Sequence, residues 1–106
     1  VKVAIVGGNI AGSLSAINLK CDVVIFEEHK SAGFPVSCAG LISEDCYEKL
    51  KEYGANADIN EIKGAFFFSP SGNHVEVVGK SKAVVVERKI LDSQLLRRAS
   101  KKAEVR

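Results

Sequence analysis

The stretch that most restricts what this chain can fold into lies at its start, where the β-branched run Lys2–Val6 (KVAIV) passes directly into Gly7-Gly8-Asn9-Ile10-Ala11-Gly12. A short apolar run that ends on glycines reads as a buried strand followed by a tight turn. Beyond the turn, Ile10, Ala11, Leu14, Ala16, Ile17 and Leu19 suit a short buried helix, and Asp22–Glu27 (DVVIFE) reads as a second buried strand with an acidic end. Strand, turn, helix and strand in that order make a βαβ unit with a parallel pair.

The order matters because each part of such a turn has a physical task. One glycine permits the bend, a second lets backbone approach a pyrophosphate, and a third lets the helix pack on the strand, while the helix N-terminus meets the phosphate charge. Gly7 and Gly12 fill the first and third places, Gly8 lies between, and Asn9 stands in the second. Asn9 brings a side chain where backbone should approach phosphate, and its tolerance of positive φ makes it the mildest replacement. Glu27 is placed to accept hydrogen bonds from ribose hydroxyls. It follows Gly12 by fifteen positions, about three fewer than the usual unit, so the helix is short by nearly one turn. The pattern points to a dinucleotide, and a structural turn that holds no phosphate is the alternative.

Further on, Glu28–Ile42 holds Gly33, Pro35 and Gly40 without a sustained period and reads as a long loop, a feature that compact domains mostly keep for function. Ser43 can cap a helix with Glu44 and Asp45 in its first turn, running to about Tyr53, with Gly54 as its C′ residue. Gly64–Phe68 and His74–Val78 are strand-like around the turn residues Ser69–Asn73, and Lys82–Glu87 adds a third strand. Leu91, Leu95, Ala99 and Ala103 recur every four residues and predict a final amphipathic helix with Arg97, Arg98, Lys101 and Lys102 opposite. Ala103–Arg106 (AEVR) has the look of another strand. The expected fold is α/β: a Rossmann-like FAD/NAD(P)-binding βαβ unit with an inserted helix and short antiparallel strands. Two parallel strands with open edges are not a stable unit, so the domain is expected to be incomplete.

Composition excludes several classes. With 106 residues there is room for one domain, and a net charge of +2 gives no block of like charge on which to argue nucleic-acid or membrane binding. No run approaches the roughly 18 apolar residues of a membrane-spanning helix, and Val1–Val6 lacks the basic start and cleavage site of a signal peptide. The chain reads as cytoplasmic, and the absence of any Met reads as a processed or partial chain. Cys21, Cys38 and Cys46 form no CxxC pair and read as free thiols. His29 and His74 are single and have no ligand partners, so no metal is expected. The basic face of the last helix has no interleaved aromatics and does not read as a nucleic-acid surface.

Three segments, VGGNIAGS at Val6–Ser13, FEEHKSAGFPVSCAGLIS at Phe26–Ser43 and VVERKILDSQLL at Val85–Leu96, together resemble the archaeal geranylgeranyl reductases, FAD-dependent enzymes of the glutathione-reductase-like superfamily. The loop Phe34–Leu41 looks like the family's PVxCxGL-type loop, and KGAFFFSPSG at Lys63–Gly72 is similar to the strand and turn that follow it. The resemblance spans residues 1–106 as an N-terminal FAD-binding segment and lacks the family's later GD motif and most of its substrate-binding part. It implies FAD as cofactor and, for a longer parent, saturation of the isoprenoid chains of archaeal membrane lipids, with the segment alone inactive.

Carried over position by position, the resemblance places Gly7, Gly8, Gly12 and the backbone around Asn9 at the FAD pyrophosphate and Glu27 at the adenosine ribose. Arg88, in an ERxxFDxxL-like segment where Leu91 replaces the usual Phe, would lie beside the cofactor, with a surface salt bridge as its alternative. Cys38 matches the family's loop cysteine near flavin and substrate and is the catalytic candidate, with packing as its alternative. Cys21 and Cys46 match nothing and read as structural. The partners implied are an isoprenoid lipid, peripheral contact with a membrane surface, and further copies joined through open sheet edges. Two other readings stay open: a segment of an FAD monooxygenase or halogenase, and a nucleotide-binding or interaction module without catalysis.

Overall fold

The computed structural model describes the backbone of all 106 residues and every side chain except those of Ser81 and Lys82. Its elements run β1 (Lys2–Val6), α1 (Ile10–Asn18), β2 (Asp22–Phe26), β3 (Leu41–Ser43), α2 (Glu44–Lys51), β4 (Ile59–Phe68), β5 (His74–Val86), α3 (Arg88–Ala99) and β6 (Glu104–Val105). They form two sheets, a parallel one of order β1-β2-β6 and an antiparallel one of order β3-β5-β4.

The parallel sheet follows from the opening sequence. β1 and β2 pair from Lys2 opposite Asp22 to Val6 opposite Phe26, and α1 supplies the crossover. Val23, Val24 and Ile25 of the central strand are all buried, which is why β2 reads as a continuous apolar run rather than an alternating one. The AEVR segment is the third strand: Glu104 pairs opposite Val24 and Val105 opposite Ile25. The sheet thus has three parallel strands rather than the two expected.

Several boundaries differ from the sequence reading, among them the end of α2, which stops at Lys51 rather than about Tyr53. His74–Val78 and Lys82–Glu87 are not separate strands but parts of β5, and β4 begins at Ile59 rather than Gly64. The pairing slips between Ile62, opposite Ala83, and Gly64, opposite Val78, so the polar stretch at 79–82 interrupts the pattern without ending the strand. α3 starts at Arg88 and stops at Ala99, because Glu87 caps it by accepting from the Lys89 amide at 3.3 Å; Ala103 lies past its end, buried in the turn that leads to β6. The long loop ends at Gly40, where β3 begins and pairs with Val85, Val84 and Ala83 of β5.

α3 joins two apolar clusters. Leu91 and Leu95 pack with Tyr47 and Leu50 of α2 and with Val84 and Val86 of β5. Ala99 packs with Ala16 of α1 and with Val23 and Ile25 of β2. The four-residue spacing of Leu91, Leu95 and Ala99 puts all three on one face with no exposed surface. On the outer face, Lys102 beyond the helix donates through Nζ to the carbonyls of Ile17 and Leu19, so one of the four basic residues has the task of capping the C-terminus of α1. The β4–β5 hairpin extends away from both clusters, with Phe66, Phe67, Phe68, Val75, Val77 and Val78 exposed, and the molecule measures 54 × 27 × 23 Å.

Candidate functional site

The glycine turn is closed by a contact that no side chain could share. A Cβ on Gly12 would stand 1.9 Å from the Gly7 carbonyl oxygen, so α1 can approach the end of β1 only if that position is bare. Gly7 itself has φ +95°, in the region that favours glycine. Gly8 is buried beneath Leu96. Asn9 needs no left-handed backbone: its φ is −74° and ψ −168°, and its side chain caps α1 by accepting from the Gly12 amide at 3.3 Å. The tolerance of positive φ therefore has no part in its presence, and capping is the physical reason an asparagine suits the position.

The hydrogen bonds around the turn decide what it can hold. The Gly7 amide donates to Phe26, the Gly8 amide to Glu27, the Gly12 amide to Asn9 Oδ1 and the Ser13 amide to the Asn9 carbonyl. The amides of Asn9, Ile10 and Ala11 have no hydrogen-bond partner among the described residues. Three consecutive free N–H groups at the positive end of a helix form a cradle for an anion. The residues present therefore fit the pyrophosphate of a dinucleotide.

Glu27 sits at the end of β2 with its carboxylate divided between two tasks. Oε2 accepts from the Gly8 amide at 2.7 Å, and Oε1 accepts from the His29 amide at 2.9 Å and lies 3.1 Å from His29 Nδ1. The His29 amide above all, and then the Gly8 amide, hold the Glu27 carboxyl below its ordinary pKa against the opposing effect of burial. The acid thus ties the second strand to the turn and keeps acceptor capacity on Oε2 for a ribose hydroxyl.

Arg88 is the first residue of α3 and points into the same cleft. It is not in a surface salt bridge: Nε donates to Asp92 Oδ1 at 2.9 Å and Nη2 to Oδ2 at 3.0 Å, one turn along the helix, and the Asp92 side chain is 3% exposed. Those bonds raise the Arg88 pKa above its usual value despite burial, and Cys38, lying beside the guanidinium, adds to the rise. The long loop is pinned against this corner. A Cβ on Gly33 would meet the Arg88 carbonyl oxygen at 2.6 Å and one on Gly40 the Val86 carbonyl oxygen at 2.2 Å, both at positive φ, and Val86 donates its amide to Gly40.

Gly7, Asn9, Glu27 and Arg88 accordingly line one cleft of 640 Å³, together with His29 and Asp92. Gly8 and Gly12 do not line it. Cys38 lies outside, in an adjoining groove that Arg88 also borders; it is exposed, and its Sγ accepts from the Gly40 amide at 3.4 Å, so it does not fill a packed interior. Cys46 is exposed too, while Cys21 packs on the α1–β2 cluster. Sequence reasoning missed His29 and Asp92. The Arg88–Asp92 spacing of four residues on a helix was a usable signal; nothing in the sequence marks His29 as a partner of Glu27.

The fold and site define a βαβ unit of the dinucleotide-binding class, with an antiparallel sheet inserted before its third parallel strand. No protein-family model matches the chain. Among curated proteins, the digeranylgeranylglycerophospholipid reductase of Methanosarcina mazei is 32% identical over 112 residues, covering 98% of this chain and 28% of that protein. The enzyme of that name from Methanocaldococcus jannaschii is 38% identical over 100 residues, covering 90% of this chain and 24% of that one. A solved geranylgeranyl bacteriochlorophyll reductase-like protein from Thermoplasma acidophilum superposes with a TM-score of 0.73 at 29% identity, over 98% of this chain and 29% of its own. A flavin-dependent brominase superposes with a TM-score of 0.72 at 18% identity, a likeness of fold alone. Along the part that these comparisons cover, the chain is similar to archaeal digeranylgeranylglycerophospholipid reductases, and it spans about a quarter of the length of those curated relatives.

The lowered pKa of Glu27 makes a signed prediction. A carboxyl whose pKa is depressed in the folded state adds stability above its unfolded pKa, and that stability is lost as pH falls through the folded value. Glu27→Gln is therefore expected to lower the denaturation midpoint at neutral pH, with the difference from the unsubstituted chain shrinking on acidification to about pH 3. Urea titrations at the two pH values check this; a difference that is constant with pH contradicts the assigned ionisation.

Proposed function

We propose that the chain is the N-terminal FAD-binding segment of a flavin-dependent reductase that saturates the isoprenoid chains of archaeal membrane lipids. The observation that carries the reading is the set of three free amides at the start of α1, over the Gly7–Gly12 crossing, the first of them on Asn9, which lines one cleft with Glu27 and Arg88. In this reading the amides of Asn9, Ile10 and Ala11 and the Arg88 fork hold the pyrophosphate, and Glu27 accepts from the adenosine ribose. The bound flavin supplies the hydride equivalent that saturates a carbon–carbon double bond. What the chain contributes is orientation and charge, and a cleft end that the loop Gly33–Gly40 closes over Arg88. The exposed apolar hairpin of β4 and β5 suits a polyisoprenoid neighbour, and a substrate held in lipid brings the parent into peripheral contact with a membrane surface. The relatives' names support the substrate class.

A titration separates this reading from a module without a flavin site. The chain is expected to bind FAD and, more weakly, ADP, with Glu27→Ala lowering both affinities about tenfold through the lost ribose bonds. Calorimetry and the absorption spectrum of the isolated protein check it, and absence of binding to either ligand overturns it.

The same reading assigns Cys38 to the substrate side of Arg88. In the longer polypeptide, Cys38→Ser is expected to lower the reductase rate severalfold with little change in melting temperature. Equal losses of rate and stability would make the thiol a packing group.

The reading includes self-association, because β1 hydrogen-bonds on one side only and the β4 edge is open, leaving rows of N–H and C=O groups for another copy. Sedimentation velocity is expected to show mass rising with concentration; a monomer at every concentration removes that part.

A further inference from the structure

Arg88 and Asp92 form the one ion pair among the described residues whose two side chains are both mostly withdrawn from water, at 18% and 3% exposure. The geometry of that pair selects which end of the guanidinium is available. Arginine carries five N–H donors in a planar fork. Asp92 takes the hydrogen on Nε and one on Nη2, in a side-on arrangement at 2.9 and 3.0 Å. What remains is the Nη1–Nη2 end, which is the end suited to two parallel bonds with a phosphate.

The position is otherwise an awkward one for a cation. Arg88 opens α3, where the positive end of the helix dipole repels it. Its other neighbours give it weaker support: the Glu87 side chain is turned to the Lys89 amide, and Cys38 on the loop lies beside the guanidinium as a thiol partner that ranks behind Asp92. Asp92, one turn on and buried at the base of the side chain, is the group that holds the guanidinium at the cleft wall.

We infer that Asp92 is a positioning residue for dinucleotide binding: by occupying the Nε edge of Arg88 it turns the Nη1 end into the cleft, to meet the ligand's pyrophosphate. The inference rests on the reading of Arg88 as a cofactor contact and goes beyond it by assigning the buried carboxylate a ligand-dependent role. It also has a sign opposite to that of simple charge. A carboxylate beside an anion site repels the anion, so by the field alone its removal tightens binding. If Asp92 acts by orientation, its removal weakens binding.

The test uses ADP, FAD and adenosine as probes, titrated calorimetrically into the unsubstituted chain, Asp92→Asn and Arg88→Ala. Asp92→Asn is expected to lower affinity for ADP and FAD roughly tenfold, while adenosine, which has no pyrophosphate, changes by less than about twofold. ADP binding by Asp92→Asn that equals or exceeds that of the unsubstituted chain overturns the inference. So does an equal loss for adenosine, which marks general distortion of the cleft. Arg88→Ala that leaves ADP affinity unchanged is a different failure, of the underlying reading of Arg88, as is absence of binding of all three probes by the unsubstituted chain.

A measurement on the unsubstituted chain keeps the question open to decision if Asp92→Asn does not fold. In nitrogen-15 spectra of the arginine side chains, the Arg88 Nε–H is expected to exchange slowly compared with that of exposed Arg97 and to stay in place when ADP is added, while the Nη signals shift. An Nε–H that exchanges as fast as that of Arg97, or that is itself the signal displaced by ADP, overturns the inference.

Discussion

The approach of Gly12 to the Gly7 carbonyl is the constraint on which the rest of the molecule is arranged. With no Cβ at position 12, α1 comes down on the end of β1 at a distance that any side chain would forbid. Everything at the site inherits that closeness. It sets the first turn of α1 beside the end of β2, so that the Glu27 carboxylate reaches the Gly8 amide, and the amides of Asn9, Ile10 and Ala11 have no partner among the described residues. The anion cradle is thus a by-product of how tightly a helix and a strand can meet.

α3 carries that arrangement across to the second sheet. One face of the helix is shared between two clusters, Leu91 and Leu95 in one and Ala99 in the other, and each is fully buried. Burying each of the two leucines stabilises by roughly 1.5–3 kcal/mol, and the alanine contributes less. Because Arg88 and Asp92 stand on the first turn and a half of the same helix, the packing that joins the sheets also fixes the cation at the cleft wall. The loop Glu28–Gly40, which has no regular structure of its own, is ordered by this junction: Ala32 is buried, and Gly33 and Gly40 lie against the backbone of Arg88 and Val86.

Much of this was legible in the sequence because it is local. The glycine turn into α1, the Ser43 cap with Glu44 and Asp45, the Ser69–Asn73 turn and the extended character of AEVR all depend on residues close to each other in the chain. The errors arose where neighbours distant in sequence decide. The polar residues at 79–82 resemble a break between strands, yet pairing with β4 carries β5 through them with a shifted register. For Asn9 a local role was missed: its tolerance of positive φ is not used, and its side chain caps α1 by accepting from the Gly12 amide three residues on. His29 and Asp92 are different, since their partners Glu27 and Arg88 lie only two and four residues away, and the helical spacing of Arg88 and Asp92 was itself readable.

By itself the amino-acid sequence determined that the chain forms a glycine-turned βαβ unit with an acid at the end of its second strand, since strand, turn and helix propensities act over a few residues and steric demands at Gly12 admit only glycine. Only the tertiary structure decided that Asn9, Glu27 and Arg88 share one cleft while Cys38 stands in the groove beside it. The reason is physical: a residue's type sets which bonds it can make, but distances across 60 residues of chain are set by the packing of α3 against two sheets at once.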